Sequence, residues 1–170
     1  MRGEQQMPVA PEEMSYILSK HFTLAEFIRS NTADYYHIVN IPPEECMPLA
    51  VEFCNLILEP VRARFGAVRI TSGYRCPELN RQVQGVPQSD HVWNTARVAA
   101  DFDTPQADLD EVFDWIRLES KLPFDQVIRE YGSRVSGDCI HVSYRGAASR
   151  RIALVGATHN QSGYTPAEVA

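Results

Sequence analysis

The sequence predicts an α+β fold built on a largely antiparallel sheet. Three observations carry that expectation. Apolar residues recur at helical spacing mainly in the first half of the chain, short β-branched and aromatic runs gather in the second half, and the two kinds of segment lack the regular alternation of a parallel βαβ sheet. At 170 residues and 44% apolar content the chain is long enough for one core and short for two.

Residues 1–14 hold two prolines and no periodicity, and are expected to be a mobile lead to a single domain over 15–156. Thr23 and Glu26 have capping-box spacing ahead of a short helix through Arg29. After a polar stretch from Ser30 to Asn40, Pro42, Pro43, Glu44 and Glu45 suit a helix N-terminus. Leu49, Phe53, Leu56, Ile57, Val61 and Phe65 then repeat at helical spacing, with Gly66 as the C-terminal cap and a bend expected at Pro60. Residues 68–71 read as a strand, 77–84 as a two-turn helix stopped by Gly85, and 99–102 as a second strand. Leu109, Val112, Phe113 and Ile116 mark a further amphipathic helix, and 124–131, 139–144 and 152–155 read as strands. The polar segment 157–170 is expected to be a C-terminal tail.

A net charge of −6 and scattered lysines and arginines give no footprint for a phosphate backbone, so no nucleic acid partner is expected. No run reaches the ~18 apolar residues of a membrane span, and no signal peptide pattern follows Met1, so synthesis as a soluble cytoplasmic protein is expected. Cys46, Cys54, Cys76 and Cys139 form no CxxC pair and are expected to be reduced.

Alternate side chains of a strand share a face. His141 therefore points with Cys139 and Ser143, while Ile140, Val142 and Tyr144 turn to the core. The same parity sets Asp101 with Ala99 and Asp103, opposite Phe102, so Asp101 and His141 can meet across paired strands. His91 follows a turn-rich, polar run from Gly85 to Asp90, a loop able to bring a third ligand over the sheet. Two imidazoles and one carboxylate are the ligand set of a catalytic Zn²⁺ whose fourth position stays open to water, which points to metal-assisted hydrolysis. Cys139 is a conceivable substitute ligand but fits a small buried filler better. His21, His37 and His159 lack comparable contexts.

Such chemistry also needs a carboxylate to relay a proton. Asp138 is the leading candidate if the chain bends at Gly137 and Asp138 before the strand begins, and Glu130 is the reserve. Arg75, at the end of a strand, suits either a substrate carboxylate or developing oxyanion, or an ordinary surface ion pair.

Ser72, Gly73, Tyr74 and Arg75, then Leu79 and Asn80, Ser89 and His91, Ala99 and Asp101, Phe124, Asp125 and Gln126, and Ile140 to Ser143 closely resemble, in order and content across residues 18–145, the zinc D-alanyl-D-alanine carboxypeptidases and related phage endolysin peptidases. The run from Leu18 to Phe27 resembles the N-terminal part of a subgroup common in phage genomes. The resemblance implies the hedgehog/DD-peptidase fold, a central antiparallel sheet flanked by helices. It implies cleavage of peptidoglycan stem peptides at D-Ala-D-Ala or L-Ala-D-Glu junctions by a zinc-activated water. It assigns zinc to His91, Asp101 and His141, substrate binding to Arg75 and Ser89, and the base to Asp138, with Arg75 also catalytic. A phage-derived enzyme of this kind would reach the cell wall through a phage pore or virion assembly. Readings from other classes are a non-catalytic peptidoglycan-binding or virion structural module of the same fold, and a cytosolic dipeptidase acting on free D-Ala-D-Ala. One departure stands out: the nine residues from Val92 to Ala100 exceed the family's usual spacing, and an altered register would pass the ligand role from Asp101 to Asp103.

Overall fold

The late strands assemble into a six-stranded sheet in the order β1-β2-β4-β3-β5-β6, which places β4 at its centre. The strands are β1 (Arg69–Ser72), β2 (Val98–Asp103), β3 (Gln126–Glu130), β4 (Cys139–Tyr144), β5 (Ile152–Gly156) and β6 (Tyr164–Ala167) in a computed structural model that describes residues 16–132, 137–156 and 163–170. The expected lead over 1–14, His159 and the start of the tail lie outside the described residues. All neighbouring strands are antiparallel except β3 and β5, which run parallel. The fold is the expected mixed α+β sheet flanked by helices.

Helices α1 (Leu24–Ile28), α2 (Asn31–Tyr36), α3 (Met47–Phe53), α4 (Glu59–Phe65), α5 (Pro77–Gln82) and α6 (Leu109–Asp114) surround it. Of these, α3 packs on β2, α6 on β3 and β4, and α1 on β1. Phe27, Phe53, Phe102, Phe124 and Ile140 are buried in the layer between. Thr23 and Glu26 form the expected capping box at α1, with the Thr23 N–H donating to Glu26 Oε2 at 2.7 Å.

The long scaffold helix is interrupted. A π-helical turn, Cys54–Leu58, separates α3 from α4, and the Glu59 N–H reaches back to the Cys54 carbonyl. Pro60 has no N–H for the Leu56 carbonyl four residues back, so a wider turn ahead of it relieves the missing bond. Leu56, expected on the apolar stripe, is 44% exposed as a result, and Cys54 and Leu58 take the buried positions.

Two segments depart from the sequence reading. α2 lies within the polar stretch from Ser30 to Asn40, and of its own residues only Ala33 is buried. Its caps stabilise it instead: Ser30 Oγ accepts the Ala33 N–H at 3.2 Å, and His37 closes it in the left-handed region at φ 55°. In the expected tail, Tyr164–Ala167 pairs with β5 as an edge strand, a place that tolerates Pro166. Among the described residues no helix is long and apolar enough to cross a membrane.

Candidate metal centre

β4 lies between β2 and β3, and its parity is the expected one: Ile140, Val142 and Tyr144 join the core, leaving His141 on the opposite face. Asp101 is the direct cross-strand partner of His141, and the His141 Nδ1 lies 2.8 Å from Asp101 Oδ1. His91 arrives from the loop between α5 and β2. Its Nδ1–H donates to the Gly73 carbonyl at 2.7 Å, because a carbonyl can only accept. That bond turns Nε2 towards Asp101 Oδ1 at 3.1 Å and His141 Nδ1 at 3.2 Å.

Three donor atoms thus form a triangle with edges of 2.8, 3.1 and 3.2 Å, built from side chains far apart in the chain. A tetrahedral zinc ion with bonds of about 2.0–2.1 Å holds its ligand atoms roughly 3.3 Å apart, so a slight outward shift fits this set to the ion. Burial raises the Asp101 carboxyl pKa, but the charges and hydrogen bonds of His91 and His141 outweigh it and hold the group ionised, well below the usual carboxylate range.

Gly73 makes the Nδ1 bond possible by close approach. A Cβ there would sit 2.5 Å from the Phe27 carbonyl oxygen and 2.6 Å from its Cα, so only glycine lets the end of β1 pack on α1. On the far side, the Arg75 N–H donates to the His91 carbonyl at 2.9 Å, and Ser89 Oγ accepts the His91 N–H at 3.3 Å. The segment from Val92 to Ala100 folds as a tight turn that leads into β2 at Val98. Trp93 is buried against Phe27 and Tyr74 and donates to the Ala99 carbonyl at 2.9 Å, while Asn94 and Arg97 bridge the tip. The extra length is absorbed there. Asp103 pairs with Arg69 through two nitrogens and takes no part in the cluster.

A cleft of about 520 Å³ opens over the triangle, lined among others by Arg75, Ser89, Gln126, Glu130 and Tyr164. The Arg75 Nη2 stands 3.7 Å from Asp101 Oδ2. Asp138 lines an adjoining cavity with Asp101, Asp103 and Cys139, its carboxylate accepting from Arg129 Nη2 at 3.0 Å and the Gly132 N–H at 2.9 Å. Burial pushes the Cys139 thiol up to about 12, leaving it a neutral filler. Glu130 accepts from the Tyr164 hydroxyl at 3.0 Å, and burial beside Glu130 raises that phenol to about 12. His21 pairs with Glu59 at 2.7 Å, away from the site.

Sequence reasoning missed the charged wall of this cleft. Asp90, Asp125, Arg145 and Arg150 form one ion-pair network there; Asp125 belongs to a motif of the family resemblance, but nothing in the spacing of Asp90, Arg145 and Arg150 sets them apart from ordinary surface charges.

The sequence profile described as Peptidase M15 matches residues 20–143, which takes in all three ligand candidates. The chain belongs to the peptidase M15 family. M15 proteins are metallopeptidases, typically zinc-dependent, so the His91, Asp101 and His141 triangle of this M15 peptidase is a site able to bind a metal ion. No curated protein and no solved structure matches the chain.

Proposed function

We propose that this M15 chain is a zinc-dependent hydrolase of peptidoglycan stem peptides, of the D-Ala-D-Ala carboxypeptidase or L-Ala-D-Glu endopeptidase type, acting at the cell wall. The observation that carries the reading is the convergence of His91 Nε2, His141 Nδ1 and Asp101 Oδ1 at the floor of a cleft that also holds Arg75 and Ser89. A zinc ion held by these three groups supplies an acidified water and a Lewis acid for the scissile carbonyl.

The side chains divide the remaining work. Asp138 takes a proton from the attacking water and returns it to the leaving amine, so that one carboxylate serves as base and then acid. Its hydrogen bonds from Arg129 and Gly132, and its place with Asp101 in the lining of the adjoining cavity, support this role. The Arg75 guanidinium donates to the carbonyl oxygen as negative charge develops on it, and its largely buried setting strengthens that interaction. Ser89 presents its hydroxyl at the rim to the substrate backbone. Asp101 faces Arg75 on one side and the two imidazoles on the other, so its charge is balanced before substrate arrives.

The test is incubation of the purified protein with muropeptides, with zinc or with chelator, followed by mass analysis. The expected result is chelator-sensitive loss of a terminal D-Ala or splitting of the stem. Intact muropeptides after exposure to zinc-loaded protein would overturn the reading and leave a non-catalytic wall-binding module.

A further inference from the structure

The wall of the cleft beside the metal triangle carries two arginines held in place by carboxylates. Arg145 and Arg150 both line this cleft. Asp125, fully buried at the start of β3, orients them: its Oδ1 accepts from Arg150 Nε at 2.8 Å and the Arg150 N–H at 3.0 Å, and its Oδ2 accepts from Arg150 Nη2 at 2.7 Å and Arg145 Nε at 2.9 Å. Arg145 Nη2 donates in turn to Asp90 Oδ1 at 2.8 Å, and Arg97 Nε stands 3.7 Å from the same oxygen. Three guanidiniums therefore share two carboxylates in this network.

Arg145 and Arg150 keep donors that are not used within this network. Nη1 of Arg145 and of Arg150 makes no hydrogen bond among the described residues, and the two side chains are 28% and 52% exposed. A guanidinium with one edge already pinned loses little freedom on binding a second acceptor, and its planar fork suits a carboxylate. Both arginines lie beyond residue 143, where the family match ends.

We propose that Arg145 and Arg150 form a carboxylate-binding subsite, which seats a negatively charged group of the stem peptide beside the scissile bond. The proposal rests on the stem-peptide reading of the substrate. Two carboxylates of such a peptide have this chemistry: the terminal one of the last D-Ala and the free one of D-Glu.

The experiment uses the full chain, zinc-loaded and carrying Asp138→Asn to suppress turnover, titrated by calorimetry with a stem pentapeptide. The peptide is supplied as the free acid, as the C-terminal amide and with D-Glu amidated. One amidation is expected to weaken binding about tenfold, as loss of a charge-assisted hydrogen bond does, and the form that weakens names the carboxylate bound. Arg150→Gln is expected to weaken the free acid by a similar factor and to abolish the acid-over-amide preference, with Arg150→Lys restoring part of it. Equal affinity for all three peptides overturns the proposal without recourse to any variant at Arg150, whose loss of the Asp125 bonds could unfold the wall. A preference that persists in a folded protein carrying both Arg145→Gln and Arg150→Gln also overturns it. Cleavage of stem peptides by the parent chain with no such preference removes the subsite and keeps the peptidase. Preference without cleavage does the reverse.

Discussion

His91 is held by its backbone and by its ring, and the ring bond to the Gly73 carbonyl decides which nitrogen faces the metal site. Outer bonds of this kind commonly contribute 10–100-fold to metal affinity. Gly73→Ala, which drives a Cβ into Phe27 backbone, is therefore expected to weaken zinc binding by about 10–100-fold in competition with a chromophoric chelator. Unchanged affinity would remove the glycine from the account. For Asp138→Ala the expected outcome is loss of turnover with metal content retained; a variant that hydrolyses muropeptides at the parent rate excludes Asp138 as the base. Arg75→Ala is expected to lower kcat by about 10²–10³, or about 2.7–4 kcal/mol, the usual cost of losing one oxyanion donor. A drop below threefold would restrict Arg75 to its contact with Asp101.

At the scale of elements, the two histidines arrive by different means. His141 belongs to a central strand whose alternation of apolar and polar residues is plain in the sequence, as is that of β2 opposite it. His91 belongs to a loop, and its position depends on packing that the loop's own composition does not announce. Trp93 anchors that loop by burying its ring against Phe27 and Tyr74. Trp93→Ala is expected to cost about 3–5 kcal/mol of stability in chemical denaturation and to weaken zinc binding with it. Full zinc affinity in a destabilised Trp93→Ala protein would show that the loop holds His91 without its anchor. The helices divide in the same way. α1 and α3 are legible from a capping box and an apolar stripe, whereas α2 rests on caps at both ends and has almost no stripe to read. The sequence led to a bend at Pro60, whereas the π turn ahead of it and its consequence for Leu56 needed the structure.

For the whole molecule, the ion pairs around Asp125 join β3, the loop before β2 and the chain beyond β4. Burial raises the Asp125 carboxyl pKa, but hydrogen bonds from Arg150 and the charges of Arg150 and Arg145 outweigh it, and the group is held below the ordinary carboxylate range. A carboxyl depressed on folding contributes stability that is fully present above its unfolded pKa of about 3.9 and is lost as the pH falls through the lower folded value. The Tm difference between the parent and Asp125→Asn is therefore expected to be constant from about pH 5 to 7 and to shrink below about pH 4. A difference that grows on acidification would contradict this assignment.

The sequence by itself determined the fold class, the strands that carry Asp101 and His141, and the residue types of the candidate site, because period-two patterning and side-chain chemistry are local properties of the chain. Its motifs also led to the family, since their order and spacing survive without coordinates. Only the tertiary structure decided that Asp101 rather than Asp103 faces His141, that the long loop still delivers His91, and that Arg145 and Arg150 join the cleft. Those outcomes depend on strand register, on the burial of Trp93 and on charges brought together from distant segments, and the energies that select them arise only when separate parts of the chain are in contact.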